Sequence, residues 1–342
     1  MPSLHCAGCP PLEVSVDSPL VSVIVSAYNR PEMLLAALNS IFAQSYQKLE
    51  IIIQDDSPED GCQRVVEEFG DSRIRYTRNY PSLGTLRNLR CGYRRATGKY
   101  VCTLNDDDLY AEKYIETMVR ALEDNPSCCL SCCDHFIFGE DGLVDTRETD
   151  VNSRRFGRDR LRPGVQEDSL RIALMMKSVP GMFAMYRATL MDFSDFPDEV
   201  SSGYDFWITY LAVRSGQPIF YSPERLTFYR VHPGSQTSSF TDPRHRFRSL
   251  QYDLFTHQRF LGDARLRSIH PAIVNHLAQV HLSMGSTMLR LRNRGSAVRE
   301  FLSSLRLRFA MGPALGMILA MLPHAFAVRV MNSRATLPNR SV

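Results

Sequence analysis

Three consecutive carboxylates, Asp106, Asp107 and Asp108, follow a run of strand-forming residues, YVCTL at 100–104. Acids packed side by side repel one another, and a folded chain holds them together only with positive charge among them. Hard oxygen donors on a rigid strand end suit Mg²⁺ or Mn²⁺. The plainer alternative is a solvated acidic turn in which an Asp caps a helix, because a helical pattern over 111–123 follows. A second acid pair, Asp55 and Asp56, closes the apolar run LEIIIQ at 49–54. If the two runs are strands of one parallel sheet, their ends share an edge. Both acid groups then face the crevice in which open α/β sheets bind ligands.

The elements that must position these acids are legible. VSVIVSA at 21–27 is β-branched and reads as a buried strand. Pro31 suits a first helical turn, and 32–44 carries Leu34, Leu35, Leu38, Ile41 and Phe42 at helical spacing. A short helix over 58–69, a third strand over 73–78 and a helix over 83–96 ended by Gly98 come next. Repeated strand–helix units with Val/Ile-rich strands mean an α/β fold with a mostly parallel sheet. No G-x-G-x-x-G follows the first strand and no P-loop is present, which argues against a dinucleotide-binding or P-loop site.

The chain has 342 residues, enough for one large or two small domains, and a formal net charge of +3. That charge is unevenly placed. Beyond Ser239 the sequence carries fifteen arginines against four acids, so the tail is basic and expects an anionic partner, a membrane surface before a nucleic acid. The nine cysteines are scattered, and Cys128, Cys129, Cys132 and Cys133 crowd one apolar segment. Neighbouring cysteines on a strand point to opposite faces, so these read as reduced, buried thiols of a cytosolic protein. Cys6 and Cys9 form a lone C-x-x-C without a second pair at zinc-finger spacing. Residues 1–19 read as a loose leader without a secretory pattern.

Several segments in fixed order carry a resemblance. They are VSVIVSAYN at 21–29, Gln44-Ser45-Tyr46, EIIIQDD at 50–56, Asn79 with Gly84 and Leu86-Arg87-Asn88, Ala96-Thr97-Gly98, and Leu104-Asn105 leading into the acid triplet. Trp207, YSPE at 221–224 and LTFYRVHPGS at 226–235 continue the order. Together they resemble family-2 glycosyltransferases of the GT-A fold, over residues 20–240, with 241–342 as a basic helical C-terminal extension. The resemblance implies an inverting, metal-assisted transfer of a sugar from a nucleotide-diphosphate donor, UDP- or dTDP-sugar by preference, to a hydroxyl of a glycan or lipid-linked acceptor. Mn²⁺ or Mg²⁺ is the implied cofactor.

The resemblance also assigns residues. It puts Ser26, Tyr28 and Asp56 in the nucleoside pocket, with a helix cap at Ser57 as the other use of Asp56. Arg87 and Asn88 face the nucleotide, or else form an exposed helix face. Many relatives read Leu-Asp-x-Asp-Asp where this chain has Asn105 at the first acid. The last acid of the D-x-D pattern falls on Asp107, the expected metal ligand. Asp106 then lies by the ribose or a metal-bound water, Asp108 caps the next helix, and His232 completes the metal. Relatives carry an acidic pair before an aromatic-rich helix, but SSGYDFW at 201–207 has Ser202 and Gly203 there. Asp205 is therefore the candidate base, with Asp198 and Glu199 in reserve.

The stretch 139–164 reads as a polar, arginine-rich surface loop, and 178–187 as a turn into a strand. Helices are expected over 244–261, 271–292 and 296–309. The apolar run 309–328 is broken by Pro313 and Pro323 and is marginal for crossing a bilayer. Basic amphipathic helices before it suit an in-plane contact with the inner face of the plasma membrane, or else a helical subdomain that packs its apolar face onto the core or a second subunit. The rival readings are a catalytically degenerate nucleotide-sugar-binding protein of the same fold, favoured by Asn105, Ser202 and Gly203, a nucleotidyltransferase and a nucleic-acid binder. The nucleotidyltransferase requires a Gly-rich basic loop that SAYNR at 26–30 does not offer. Nucleic acid is not expected, and the oligomeric state is not encoded in any of these patterns.

Overall fold

Seven residues with three valines and an isoleucine build the strand from which the sheet grows, β1 (Val21–Ala27). In this computed structural model, which describes residues 18–232, 242–322 and 329, with Ser202 described for its backbone alone, β1 is flanked by two parallel partners. Three strand–helix repeats surround it: α1 (Pro31–Phe42), β2 (Leu49–Asp55), α2 (Gly61–Phe69), β3 (Ile74–Arg78), α3 (Thr85–Arg95) and β4 (Tyr100–Asn105). Then come β5 (Leu109–Tyr110), α4 (Tyr114–Asp124), β6 (Leu130–Phe138), α5 (Thr146–Arg155), β7 (Gly164–Gln166), β8 (Ala184–Arg187), α6 (Tyr204–Val213) and β9 (Ile219–Arg230). Four helices end the described chain: α7 (Pro243–Gly262), α8 (His270–Arg290), α9 (Arg294–Leu307) and α10 (Met311–Met321).

The nine strands form one sheet in the order β3-β2-β1-β4-β8-β6-β9-β5, with β7 also on β9. Its first four strands are parallel, and β8, β5 and β7 run antiparallel to their partners. β1 and β2 are buried on both faces, hence their near-continuous Val and Ile. Registers Ala27↔Asp55 and Ser26↔Asn105 set the ends of β1, β2 and β4 side by side. That places the 55–56 and 106–108 acids along one edge.

The chain divides into two compact units. One takes in the described residues up to Phe196 together with Ile208–Val231, and the other Pro197–Trp207 and the described residues from His232 onward. The helical unit has its own core of Met288, Leu289, Ala297, Phe301, Leu319 and Ala320. Gly285 of α8 and Gly316 of α10 admit the Phe301 ring, since a Cβ at either would stand 2.5 or 2.6 Å from it. No described helix is long and apolar enough to cross a membrane.

One expectation is corrected. The 139–164 stretch is not a plain loop, because 146–155 is helical. The Asp145 side chain accepts the Glu148 N–H, a capping contact that starts α5. Just beyond it Arg158 is buried, donating to Asp134 at 2.7 Å. Its neighbour His135 is buried as well, and burial pushes its imidazole down to about 4. The seven described cysteines are free thiols, six of them buried. Cys6 and Cys9 lie outside the described residues.

A buried carboxylate fastens the back of the parallel half. Glu50 on β2 accepts from Ser22 Oγ (2.5 Å), the Thr97 N–H (2.6 Å) and hydroxyl (2.9 Å), and Arg75 (3.0 Å). Burial alone would raise its pKa, but these donors outweigh burial and hold it below the usual 4.5. A depressed carboxylate stabilises the fold above its unfolded pKa, and this contribution disappears as pH falls through the folded value. Chemical denaturation from pH 6 downward should therefore show a steeper loss of stability below about 4.5 in the wild type than in Glu50→Gln. Parallel curves would show that Glu50 is not a significant proton-linked contributor.

Candidate active site

Backbone hydrogen bonds at the sheet edge draw the strand ends together. The Asp106 N–H donates to Ser26 O (3.1 Å) and the Asp56 N–H to Ala27 O (3.0 Å). The chain then leaves β1 through Tyr28 and Asn29, the latter at φ 53°. In that turn the Tyr28 N–H reaches Asp106 Oδ2 at 2.8 Å, and the Asn29 N–H reaches Ser57 Oγ at 2.8 Å. The Tyr28 ring stays 52% exposed at the rim.

Arginines meet the acid triplet. Arg30 Nη1 lies 3.0 Å from Asp106 Oδ1 and 2.8 Å from Asp107 Oδ2, bridging two neighbouring carboxylates. Arg230, at the end of β9, donates Nε to the Asp107 carbonyl (2.8 Å) and its own N–H to Asp108 Oδ1 (3.0 Å). The pairs Leu109↔Phe228 and Tyr110↔Thr227 hold Arg230 in that register. Asp106 is nevertheless pushed up to about 6, by burial first and then by Asp107, against the pull of the Tyr28 N–H and Arg30. Asp108 too is raised well above the usual carboxylate range, for the same two reasons.

Asp108 does not cap a helix, contrary to the sequence-based expectation. Lys113 stands at the start of α4, while the Asp108 carboxylate takes Arg230 N–H and the Asn105 amide (3.2 Å). The same Asn105 accepts from Ser26 Oγ at 3.3 Å. An aspartate at 105 would present a like charge to Asp108, so asparagine in place of the usual acid has a local reason.

Asp56 is buried and fully engaged. Its Oδ1 accepts from Asn79 Nδ2 (3.1 Å) and the Leu83 N–H (2.7 Å), its Oδ2 from Ser82 Oγ (2.5 Å) and the Gly84 N–H (2.7 Å). These four donors fill the acceptor sites of a carboxylate. They fold residues 79–84 against the strand edge and set up Gly84, at φ 80°, where α3 begins. Asp56 does not cap the Ser57 turn; the carboxylate that meets the Ser57 N–H is Asp55, at 2.8 Å. Asn88 is buried rather than on an exposed face, bonded to Gln54 O (2.8 Å) and Asn79 (2.7 Å), whereas Arg87 is exposed.

The remaining candidates belong to the helical unit. Asp205 sits half-buried in the first turn of α6, and His232 is buried. Asp198 and Glu199 are exposed in a 3₁₀ segment, Asp198–Gly203, in which Ser201 takes φ 42°. Arg30 and the Arg230–Asp108 link were missed as site features. Arg30 was legible only as the residue after Tyr28-Asn29, and Arg230 lay within the YRVH segment already noted.

The description Glycosyl transferase family 2 fits residues 22–190 of this chain. An uncharacterized glycosyltransferase of Haemophilus influenzae is 30% identical over 233 residues, 65% of this chain and 68% of that protein. Escherichia coli WfaP, a UDP-Glc:alpha-D-GlcNAc-diphosphoundecaprenol beta-1,3-glucosyltransferase, is 33% identical over 104 residues, 30% of this chain and 41% of WfaP. Among solved structures, S. aureus TarS 1-349 in complex with UDP-GlcNAc superposes with a TM-score of 0.58 at 15% identity, covering 84% of this chain and 91% of TarS 1-349. The chain spans about half, 52%, of a longer TarS chain. Pyrobaculum calidifontis mannosyltransferase PcManGT, in complex with GDP-Man and Mn2+, gives 0.54 at 17% identity over 94% and 89% of the two chains.

An α/β sheet with this acid-lined edge is a GT-A type fold. The chain belongs to glycosyltransferase family 2 and is a glycosyltransferase.

Asp56→Asn should loosen the segment it gathers. Hydrogen exchange at the Leu83 and Gly84 amides should speed up by about tenfold or more, as expected for loss of charge-assisted bonds. Unchanged protection would mean that residues 79–84 are held by other contacts.

Proposed function

We propose that this chain transfers a sugar from a UDP- or dTDP-sugar to a hydroxyl of a glycan or lipid-linked acceptor, with inversion. The observation that carries the reading is the convergence of Tyr28, Arg30, Asp106 and Asp107 at the ends of β1 and β4. Tyr28 offers an aromatic face to the base, and Ser26 and Asp106 serve the ribose side. Asp56 and Asn88 act by holding residues 79–84 at the pocket wall, and Arg87 faces the phosphates.

A divalent cation fits this donor set. Asp106 and Asp107 are hard oxygen donors on neighbouring residues, and the one Arg30 Nη1 is shared between their two carboxylates. Asp107 is the proposed direct ligand and His232 a further one. Bound there, Mn²⁺ or Mg²⁺ would neutralise a diphosphate leaving group. That PcManGT binds Mn2+ and TarS binds UDP-GlcNAc supports the choice of ion and donor class. Arg30, released from Asp107, then pairs with the diphosphate as a second cation.

In the transfer the acceptor hydroxyl oxygen bonds to the anomeric carbon as the bond to the diphosphate breaks. Inversion requires that attack from the face opposite the leaving group. Asp205 takes the hydroxyl proton as general base. Asp198 and Glu199 are reserves for that role. A lipid-linked acceptor is supported by the similarity to WfaP, a transferase to alpha-D-GlcNAc-diphosphoundecaprenol. Phe309, Met311, Ile318 and Met321 are exposed apolar side chains, and Arg306 and Arg308 are exposed as well. This surface suits peripheral contact with an anionic cytoplasmic membrane face.

The test is turnover with a panel of UDP- and dTDP-sugars and short lipid-linked or free glycan acceptors. Asp205→Asn should leave donor affinity unchanged and lower kcat by roughly 100-fold or more, the usual contribution of a general base. Full turnover in that variant would move the base to Asp198 or Glu199.

A further inference from the structure

The helical unit contains a ligand set that sugar transfer does not use. Asp253 and His257 are one turn apart on α7, and His276 comes from α8. His257 Nδ1 lies 2.8 Å from Asp253 Oδ1, and His276 Nε2 lies 3.0 Å from each carboxylate oxygen. One donor atom from each residue lies within 4.8 Å of the others. The two imidazole rings face each other with centroids 3.9 Å apart. His257 is fully buried, with Phe206 and Phe260 against its ring at 5.8 and 5.2 Å.

Two imidazoles around one carboxylate are the donor types of a borderline metal ion. A tetrahedral ion with bonds of about 2.0–2.1 Å separates its ligand atoms by about 3.4 Å. The observed 2.8 and 3.0 Å separations are a few tenths of an ångström short of that, within reach of small side-chain rotations. The nitrogen-rich set selects Zn²⁺ over the Mg²⁺ or Mn²⁺ suited to an all-oxygen site.

We propose that Asp253, His257 and His276 bind a zinc ion that fastens α7 to α8. In the metal-free protein His257 Nδ1 also lies 2.9 Å from the Asp253 main-chain carbonyl, so the ion replaces the proton that Nδ1 shares with Asp253 and, likewise, the one that His276 Nε2 shares with the carboxylate. Asp253 supplies one carboxylate oxygen, and a water fills the fourth position. The Phe206 and Phe260 rings fix the His257 ring plane, as packing around metal ligands commonly does. Because Phe206 follows Asp205 in the chain, the ion also braces the segment that carries the proposed base.

The experiment uses the full chain, stripped with a chelator, dialysed and titrated with Zn²⁺ against a chromophoric competitor. Co²⁺ absorption reports the coordination, and thermal unfolding is followed with and without Zn²⁺. Wild type and Asp107→Asn should both bind one equivalent tightly and unfold at higher temperature with Zn²⁺. His276→Gln should bind about 100-fold more weakly or worse and lose the thermal shift. His281→Gln on the same helix, where His281 pairs with Glu300, should behave as wild type. Asp253→Asn gives the same reading as His276→Gln if that variant does not fold. Absence of tight zinc binding by the wild type, or full affinity in both His276→Gln and Asp253→Asn, would overturn the proposal. The second result would place zinc on the thiols.

Discussion

Charge compensation at the end of β4 is the constraint on which this site depends. Three neighbouring aspartates enter a buried strand edge, where their repulsion is least screened. Arg30 and Arg230 answer them from two different elements, the turn after β1 and the end of β9. Arg230 is bound into the frame by its backbone and side chain. Arg30 is a side chain on the turn that follows β1 and bridges two of the three carboxylates. The metal and diphosphate proposed above would meet the same electrostatic demand. Asparagine at 105 belongs to this balance, because it removes one charge and donates to Asp108 instead.

The pocket wall follows a second rule, that a buried carboxylate must fill its acceptor sites. Asp56 does so with four donors from residues 79–84, which have no regular structure of their own to satisfy them. Asn88 extends the network from α3 to β2. This segment is held by charge-assisted hydrogen bonds rather than by apolar packing. Glu50 plays the matching part at the opposite ends of the strands, tying β1, β2 and the turn before β4.

Much of this was readable from residues. VSVIVSA and LEIIIQD are unambiguous strands, Pro31 and Gly98 mark a helix start and a stop, and acids at two strand ends locate the crevice. The tail helices over 244–261, 271–292 and 296–309 agree with α7, α8 and α9 to within two residues at each end. Contacts between distant segments were not readable. Nothing local reveals that Arg30 bridges Asp106 and Asp107, that Asp108 is tied to Arg230, or that Arg158 is buried on Asp134. The helix over 146–155 was hidden because its composition is polar and arginine-rich, and only its Asp145 cap marks its start. Asp253 and His257 show helical spacing in the sequence, but His276 joins them only through the packing of α7 on α8.

Calorimetric titration of UDP into the wild type and Asp107→Asn, each with and without Mn²⁺, addresses the charge-compensation account most directly. It predicts UDP binding by the wild type that strengthens at least about tenfold with Mn²⁺ and a loss of that gain in Asp107→Asn, as removal of a metal ligand requires. Equal Mn²⁺-dependent affinity in the two proteins, or no UDP binding by either, would contradict it.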